Sequence, residues 1–480
     1  MRAIFRLFLL LVGGFLTFGS ALAQDDSGAE SKNDDEFTFV DFMKKVKADH
    51  PLALVSQGQV ELGKAALMKA RGGFDPKASF GISQKYFGGQ SYYNVLDGGL
   101  KVPVWFGAQI NAGIEQGEGD YVNPESYTPD AGLYYAEMSI PVGRGLFTDE
   151  RRTALRKARF YTSYTEEERL ALVNNLLYNA GKAYWQWFYA YHALMVREES
   201  KSLAENRLEA IRRKVNAGDK PAIDTLKALI QVQSRQMDLE QATADLYEAS
   251  QYLSTFLWAK GVVPLELGEN IKPSGSDEIH GQIAEDETTT DIETLLAEHP
   301  ELRQKQLELD MLKTDRRLKK EMLKPQLDLK YRLLSEAVED PENKYDFGFD
   351  NYKWGLKFGI PIFLRKERAD LRKNRVKIEQ AKLKIEDKRV SLLAKARTAW
   401  KRSEISARQV GLFSDALDNY RLLMNAELRL YDSGESSLFL VNTRELHYFD
   451  ARIKLLKTVA ENRKSVLARE YSLARLEGVY

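Results

Sequence analysis

The chain has 480 residues, 70 basic against 70 acidic side chains, and no cysteine. That excludes thiolate sites, disulfides and a lipid-anchoring cysteine, and the balanced charge is not that of a nucleic-acid binder. Residues 1–23 read as a secretory signal: Arg2 and Arg6, an apolar run from Leu7, then small residues ending Ala21-Leu22-Ala23. Removing it leaves 68 basic residues against 70 acidic, a charge of −2; retained, the same segment would serve as an anchor. No other segment approaches eighteen apolar residues, so passage through a membrane would have to use β-strands.

Residues 24–36 are acidic and polar, the composition of a disordered stretch. A first repeat spans 37–259. It opens with a short amphipathic helix from about Thr38 to Ala48, broken at Asp49-His50-Pro51, and a second helix from Leu52 to Arg71 stops at Gly72-Gly73. Within 74–141 the apolar period changes to two, at Ala78–Ser83, 100–102, 110–114 and 134–140. Residues 147–216 then contain no proline and one glycine, Gly181, which predicts a helix roughly 105 Å long. The turn 217–221 reverses the chain into a return helix over 222–259.

Residues 260–290 form a Gly/Pro/Ser/Thr-rich connector, and a second repeat over 291–480 restarts the plan. Glu298-His299-Pro300 repeats Asp49-His50-Pro51 at an offset of 249, followed by strands in 326–361. A long helix over 362–432, again with a single glycine, Gly411, leads to a tip at 433–436 and a return helix over 436–477. The long helices align at an offset of 216, pairing Leu155 with Leu371 and Gly218 with Gly434. The smaller offset places an insertion of about 33 residues in the first copy's strand region. Whether that copy supplies two strands or four stays open.

The strands of the second copy have two faces. Leu329, Tyr331, Trp354, Leu356 and Phe358 are expected to face lipid; Asp328, Lys330, Arg332, Lys353 and Lys357 are expected to line a wet lumen. A soluble sheet packed on one face alternates in the same way. Four to six strands per chain are too few to close a membrane barrel, whereas three chains would supply twelve to eighteen. The return helices carry coiled-coil spacing, at Leu239, Ala242, Leu246, Ala249, Leu253 and Phe256 and at Leu446, Phe449, Ile453, Leu456 and Ala460. The expected fold class is α+β: a trimeric membrane β-barrel continued by a long α-helical coiled-coil barrel, with two internal repeats per chain.

The doubled His-Pro break, the Pro-ended strands Ser139-Ile140-Pro141 and Gly359-Ile360-Pro361, and the two tips resemble the TolC-like outer-membrane efflux protein family over nearly the whole mature chain. Val215-Asn-Ala-Gly218 followed by Ile223-Asp224-Thr-Leu226 looks like the family's Val-Gly…Asp-Val-Leu tip. In the second tip Asn442 lies near the family's aspartate position, and Leu440 stands where that aspartate would align. The resemblance implies an outer-membrane duct of a tripartite efflux or type I secretion system, acting as a homotrimer. It also implies docking to a periplasmic adaptor (membrane fusion protein) and an inner-membrane RND or ABC transporter. The expected docking residues are Gly218, Asp219, Ile223, Asp224, Leu226, Gly434, Glu435 and Asn442.

The alternative is a periplasmic coiled-coil adaptor or scaffold without a pore. The five histidines show no metal-ligand spacing and no phosphate loop or nucleophile motif follows a strand, so no enzyme, metal or cofactor is expected. His50 and His299, at equivalent breaks, read as structural. The cluster Tyr184, Trp185, Trp187, Phe188, Tyr189 and Tyr191 reads as core packed against the connector and the short first helix.

Overall fold

Residues 36–268, 270–274, 292–336, 347 and 349–480 are described by the computed structural model. The leader, the acidic stretch up to residue 35 and the connector from 275 to 291 lie outside them. Phe37–Tyr480 forms one unit.

Helix α1 (Phe39–Asp49) starts where the Thr38 hydroxyl accepts the Asp41 amide. Helix α2 (Pro51–Arg71) follows at once, because His50 Nδ1 accepts the Leu52 N–H at 3.1 Å and Pro51 fits a first turn that needs no donor. Four strands come next: β1 (Lys77–Phe87), β2 (Gln90–Pro103), β3 (Gln109–Glu118) and β4 (Leu133–Pro141). Helix α3 (Glu150–Asn216) begins three residues later than its lack of prolines suggests, since Asp149 caps it by accepting the Arg152 amide. Its 67 residues extend about 100 Å. Helix α4 (Ile223–Ser254) returns alongside it. The return helix ends at Ser254, not 259, where Trp258–Ala259 turns back to pair with Val263–Pro264.

In the second repeat a short α5 (Ile292–Leu296) precedes α6 (Pro300–Glu321), capped as α2 is: His299 Nδ1 accepts the Glu301 N–H at 3.2 Å. Strands β5 (Gln326–Glu336) and β6 (Tyr352–Gly359) lead into α7 (Arg365–Asp432). Helix α8 (Leu438–Ser472) and a last short turn, α9 (Leu476–Val479), finish the chain. The 249-residue offset carries β1 onto β5 and the 216-residue offset carries the start of α3 onto that of α7, so the insertion is the hairpin β2–β3. Residues 77–141 therefore contribute four strands.

All six strands form one antiparallel sheet in the order β6-β5-β4-β3-β2-β1. Near the sheet the helices lie in the order α2-α3-α6-α7, and farther away in the order α4-α3-α8-α7. Two shorter helices stacked end to end thus pair along each long one, as their lengths require. The open edges of the helix layer are α2 and α4 on one side and α7 on the other. The expected coiled-coil seams are mostly inside: Ala242, Ala249, Leu253, Phe449, Leu456 and Ala460 are buried, Leu239, Leu246, Phe256 and Ile453 are half-buried, and Leu446 is exposed.

The densest core sits at mid-length. Tyr184, Trp187 and Phe188 of α3 are buried against Phe42, Met43 and Val46 of α1, with Leu257, just past α4, and Leu265 and Ile271 of the connector packed beside them. Aromatic side chains spread around α3 in this way need cover on several faces. Helix α1 and the connector supply it, each large buried side chain contributing about 1.5–3 kcal/mol. Tyr189 joins a separate cluster with Val196, Phe449 and Leu456.

Candidate functional site

Two places carry functional geometry: the sheet and the helix tips. In the sheet, ladder partners project to the same side, so the register sorts the residues. Lys353, Arg332, Glu137, Asn111 and Lys101 lie on one row, and Lys357 with Asp328 on another of the same face. Phe80, Gly98, Ile114 and Tyr134 share the opposite face with Ser335. On that face too are Trp354 with Tyr331 and Met138, and Leu356 with Leu329 and Ile140. Every residue expected to line a lumen falls on the first face, and every residue expected to meet lipid on the second. The apolar side chains stand out from the sheet: Trp354 is 63% exposed, Phe358 66% and Phe80 72%.

The polar face is internally bonded. Arg332 on β5 donates to Glu137 at 2.9 Å and to Glu115 at 3.0 Å, and Asn111 donates to Glu137 at 2.8 Å. The Arg332 guanidinium also lies 4.3 Å above the Tyr135 ring. Tyr135 reaches over Gly113 and Gly99, where a Cβ on either would come within 2.8 Å of its hydroxyl. These two positions stay glycine because the phenol occupies the space a side chain would take. Glu115, Glu137, Asn111 and Tyr135 escaped the sequence reading, although Ile110-Asn-Ala-Gly-Ile114-Glu carries the same period of two.

At the base of the sheet, Phe147, Ile362 and Phe363 are exposed. Arg365 sits over the Phe363 ring and Lys324 over the Phe147 ring. Apolar rings topped by cations suit a boundary between hydrocarbon and water.

The far ends of the long helices close alike. Gly218 has φ +83° and Gly434 φ +83°. The Gly218 amide donates to Val215 O and the Asp219 amide to Lys214 O; Gly434 and Glu435 donate to Tyr431 O and Leu430 O. Each is the paired bond of a Schellman cap, with glycine where a left-handed backbone is needed. Lys214 and Lys220 both lie over the Tyr431 ring, at 5.6 Å and 5.0 Å, joining the two tips within a chain. Gly218, Asp219, Ile223, Leu226, Gly434 and Glu435 are exposed, and Asp224 is half-buried beside Lys227. Asn442 lies deeper, next to the ion pair of Arg207 with Glu445, and is not presented at the end surface.

A cleft of about 750 Å³ runs between α3 and α7, lined by Tyr178, Tyr471, Glu301, Lys395 and Arg402. Tyr178 and Tyr471 already stack on each other at 4.1 Å, and Glu301 already pairs with Lys388, so the cleft reads as a seam in the wall. Among the described residues no cluster of histidine and carboxylate side chains could hold a metal ion, and no helix is long and apolar enough to cross a membrane.

These features define a class: a strand layer with one polar and one apolar face, joined to a helical layer about 100 Å long. Residues 292–478, within the stretch expected as a second repeat, match the model of the family described as outer membrane efflux protein, and the TolC-like resemblance of the sequence is borne out. No curated protein sequence matches the chain. Among solved structures, the Campylobacter jejuni CmeC outer membrane channel is similar, with TM-score 0.62 at 12% identity over 96% of this chain and 94% of that one. The Neisseria gonorrhoeae MtrE outer membrane channel in its open state has TM-score 0.63 at 13% identity, over 96% and 97%. CusC, whose structures concern folding and transmembrane channel formation, has TM-score 0.63 at 14% identity, over 96% and 99%.

Proposed function

We propose that this chain is the outer-membrane channel of a tripartite efflux or type I secretion system. It acts as a homotrimer whose strands cross the outer membrane and whose helices extend through the periplasm. The observation that carries this reading is the sheet, largely apolar on its second face and open at both edges, β1 and β6. In water such a face is a liability, and in lipid an open edge leaves backbone groups unsatisfied. A ring of copies, β6 of one pairing with β1 of the next, removes both problems and puts the Arg332–Glu137–Glu115 network on the inside.

The helix edges support the same head-to-tail closure. The α7 edge exposes Val376, Leu383 and Val390, spaced by seven residues; the α2 and α4 edge exposes Val55 and Leu62, then Ile223, Ile230 and Met237, also by seven. Heptad stripes on two different edges make a heterologous contact, which closes into a ring when the rotation allows. Three chains of four helices make a twelve-helix wall. Its far mouth presents six Schellman-capped turns, where an adaptor reaching from an inner-membrane RND or ABC transporter would dock. A poreless scaffold leaves the apolar sheet face without a partner.

The absence of native cysteine gives a clean test. Single cysteines at 353, 355 and 357 in cells should react with a water-soluble maleimide, whereas cysteines at 354, 356 and 358 should react poorly. Equal reaction of neighbouring positions would refute the membrane assignment.

A further inference from the structure

The inserted hairpin β2–β3 is part of the wall, not a plug. β2 pairs with β1 along its length, with one register shift at Lys85/Tyr86, and β2 with β3 and β3 with β4 stay in continuous register. Its inner turn is anchored: the Val104 amide donates to Ala108 O, and Gly107 backs onto Arg152 Nη2 and the Gly145 carbonyl at the start of α3. Ala108 is fully buried there. The hairpin also keeps the two-faced pattern, with Asp97 and Glu115 in one ladder row on the polar side and Leu96 and Ile110 on the apolar side.

Six strands per chain change the bore. At about 4.8 Å between strands and a tilt of about 40°, six strands cover about 37 Å of arc; four strands would cover about 25 Å. Four helices at about 9 Å spacing cover about 36 Å. The strand layer is therefore as wide as the helix layer, and the tube need not narrow where it enters the membrane. Three chains give eighteen strands and a backbone diameter of about 36 Å, against about 24 Å for twelve strands. Allowing about 5 Å of side chain on each wall leaves about 26 Å clear. Ser79, Gly81 and Gly355 leave parts of the polar face low in bulk, whereas Tyr135 covers Gly99 and Gly113.

We infer that the hairpin widens the membrane exit so that it passes cargo as bulky as a polypeptide helical hairpin, about 20 Å across. Size selection then belongs to the helical mouth and not to the barrel. This rests on the trimeric channel reading above.

Electron cryomicroscopy of the full protein in lipid nanodiscs separates the two. Eighteen strands in a closed barrel about 36 Å across is the expected result. A closed trimeric barrel of twelve strands, with 90–118 folded elsewhere, would overturn the inference and leave the channel reading intact. A particle without a closed barrel would overturn both. Bore width is then read with graded polyethylene glycols added from the outer side of a planar bilayer. Polymers up to about 20 Å in diameter should enter and reduce conductance, and deletion of residues 90–118 should roughly halve the diameter that enters. Exclusion of everything wider than about 14 Å from the unaltered channel would contradict the inference.

Discussion

Replacement of both tip glycines by arginine, Gly218→Arg with Gly434→Arg, separates a cap from a docking surface. A Cβ built at either position meets nothing within 4 Å, so a new side chain starts into open space. What it does cost is the backbone: both residues sit at φ +83°, a conformation worth about 1–2 kcal/mol less for an L side chain. That penalty is confined to the last turn of α3 and α7, helices of 67 and 68 residues held along most of their length by their neighbours. Assembly and membrane insertion should therefore be unchanged, because the sheet lies about 100 Å away. Export, followed as survival of cells on a toxic substrate or as secreted product, should fail. The control is the pair Gly218→Ala with Gly434→Ala, which carries the same backbone penalty without bulk or charge and should retain export. Equal loss in both variants would mean the glycines act only as caps. Full export by the inserted arginine variant would mean that partners dock elsewhere.

Two stability predictions follow from the interior. Burial holds the His299 imidazole down at about 4, where its neutral Nδ1 caps α6. The folded value lies below the ordinary 6.5, so the stability is complete above about pH 6.5 and declines as pH falls toward 4. The loss reaches about 3 kcal/mol. His299→Asn keeps a capping acceptor and should flatten that decline in helix melting followed by circular dichroism; an unchanged pH profile would contradict the assignment. Trp187→Ala removes a side chain only 1% exposed and should destabilise the mid-length core by about 3–5 kcal/mol, read as a lower midpoint in the same melt. A shift no larger than that of a surface substitution would contradict it.

Most of this architecture was legible in the sequence, because its cues are local or periodic. The long helices announce themselves by missing prolines, the repeats by His-Pro pairs, and the sheet faces by alternation in β5 and β6. The tips followed from Gly218 and Gly434 at a fixed offset, and the caps confirm why glycine stands there. What the sequence did not yield depends on pairing between distant segments. The four strands of the first repeat were uncertain because β2 and β3 carry glycines and acids that blur their alternation. The Arg332–Glu137–Glu115 network joins residues some two hundred positions apart and needs the strand order. Asn442 matched a motif by spacing, yet it lies with Glu445, one turn further along α8, beside Arg207 of α3.

The central claim is that several copies close one membrane tube, and the mass of the detergent-extracted protein tests it most directly. Light scattering corrected for bound detergent should give three times the mass of one mature chain, with the strand signal in circular dichroism retained. A single-chain mass with that strand content intact would contradict the account, since one chain would then be holding a six-stranded open sheet stable in lipid.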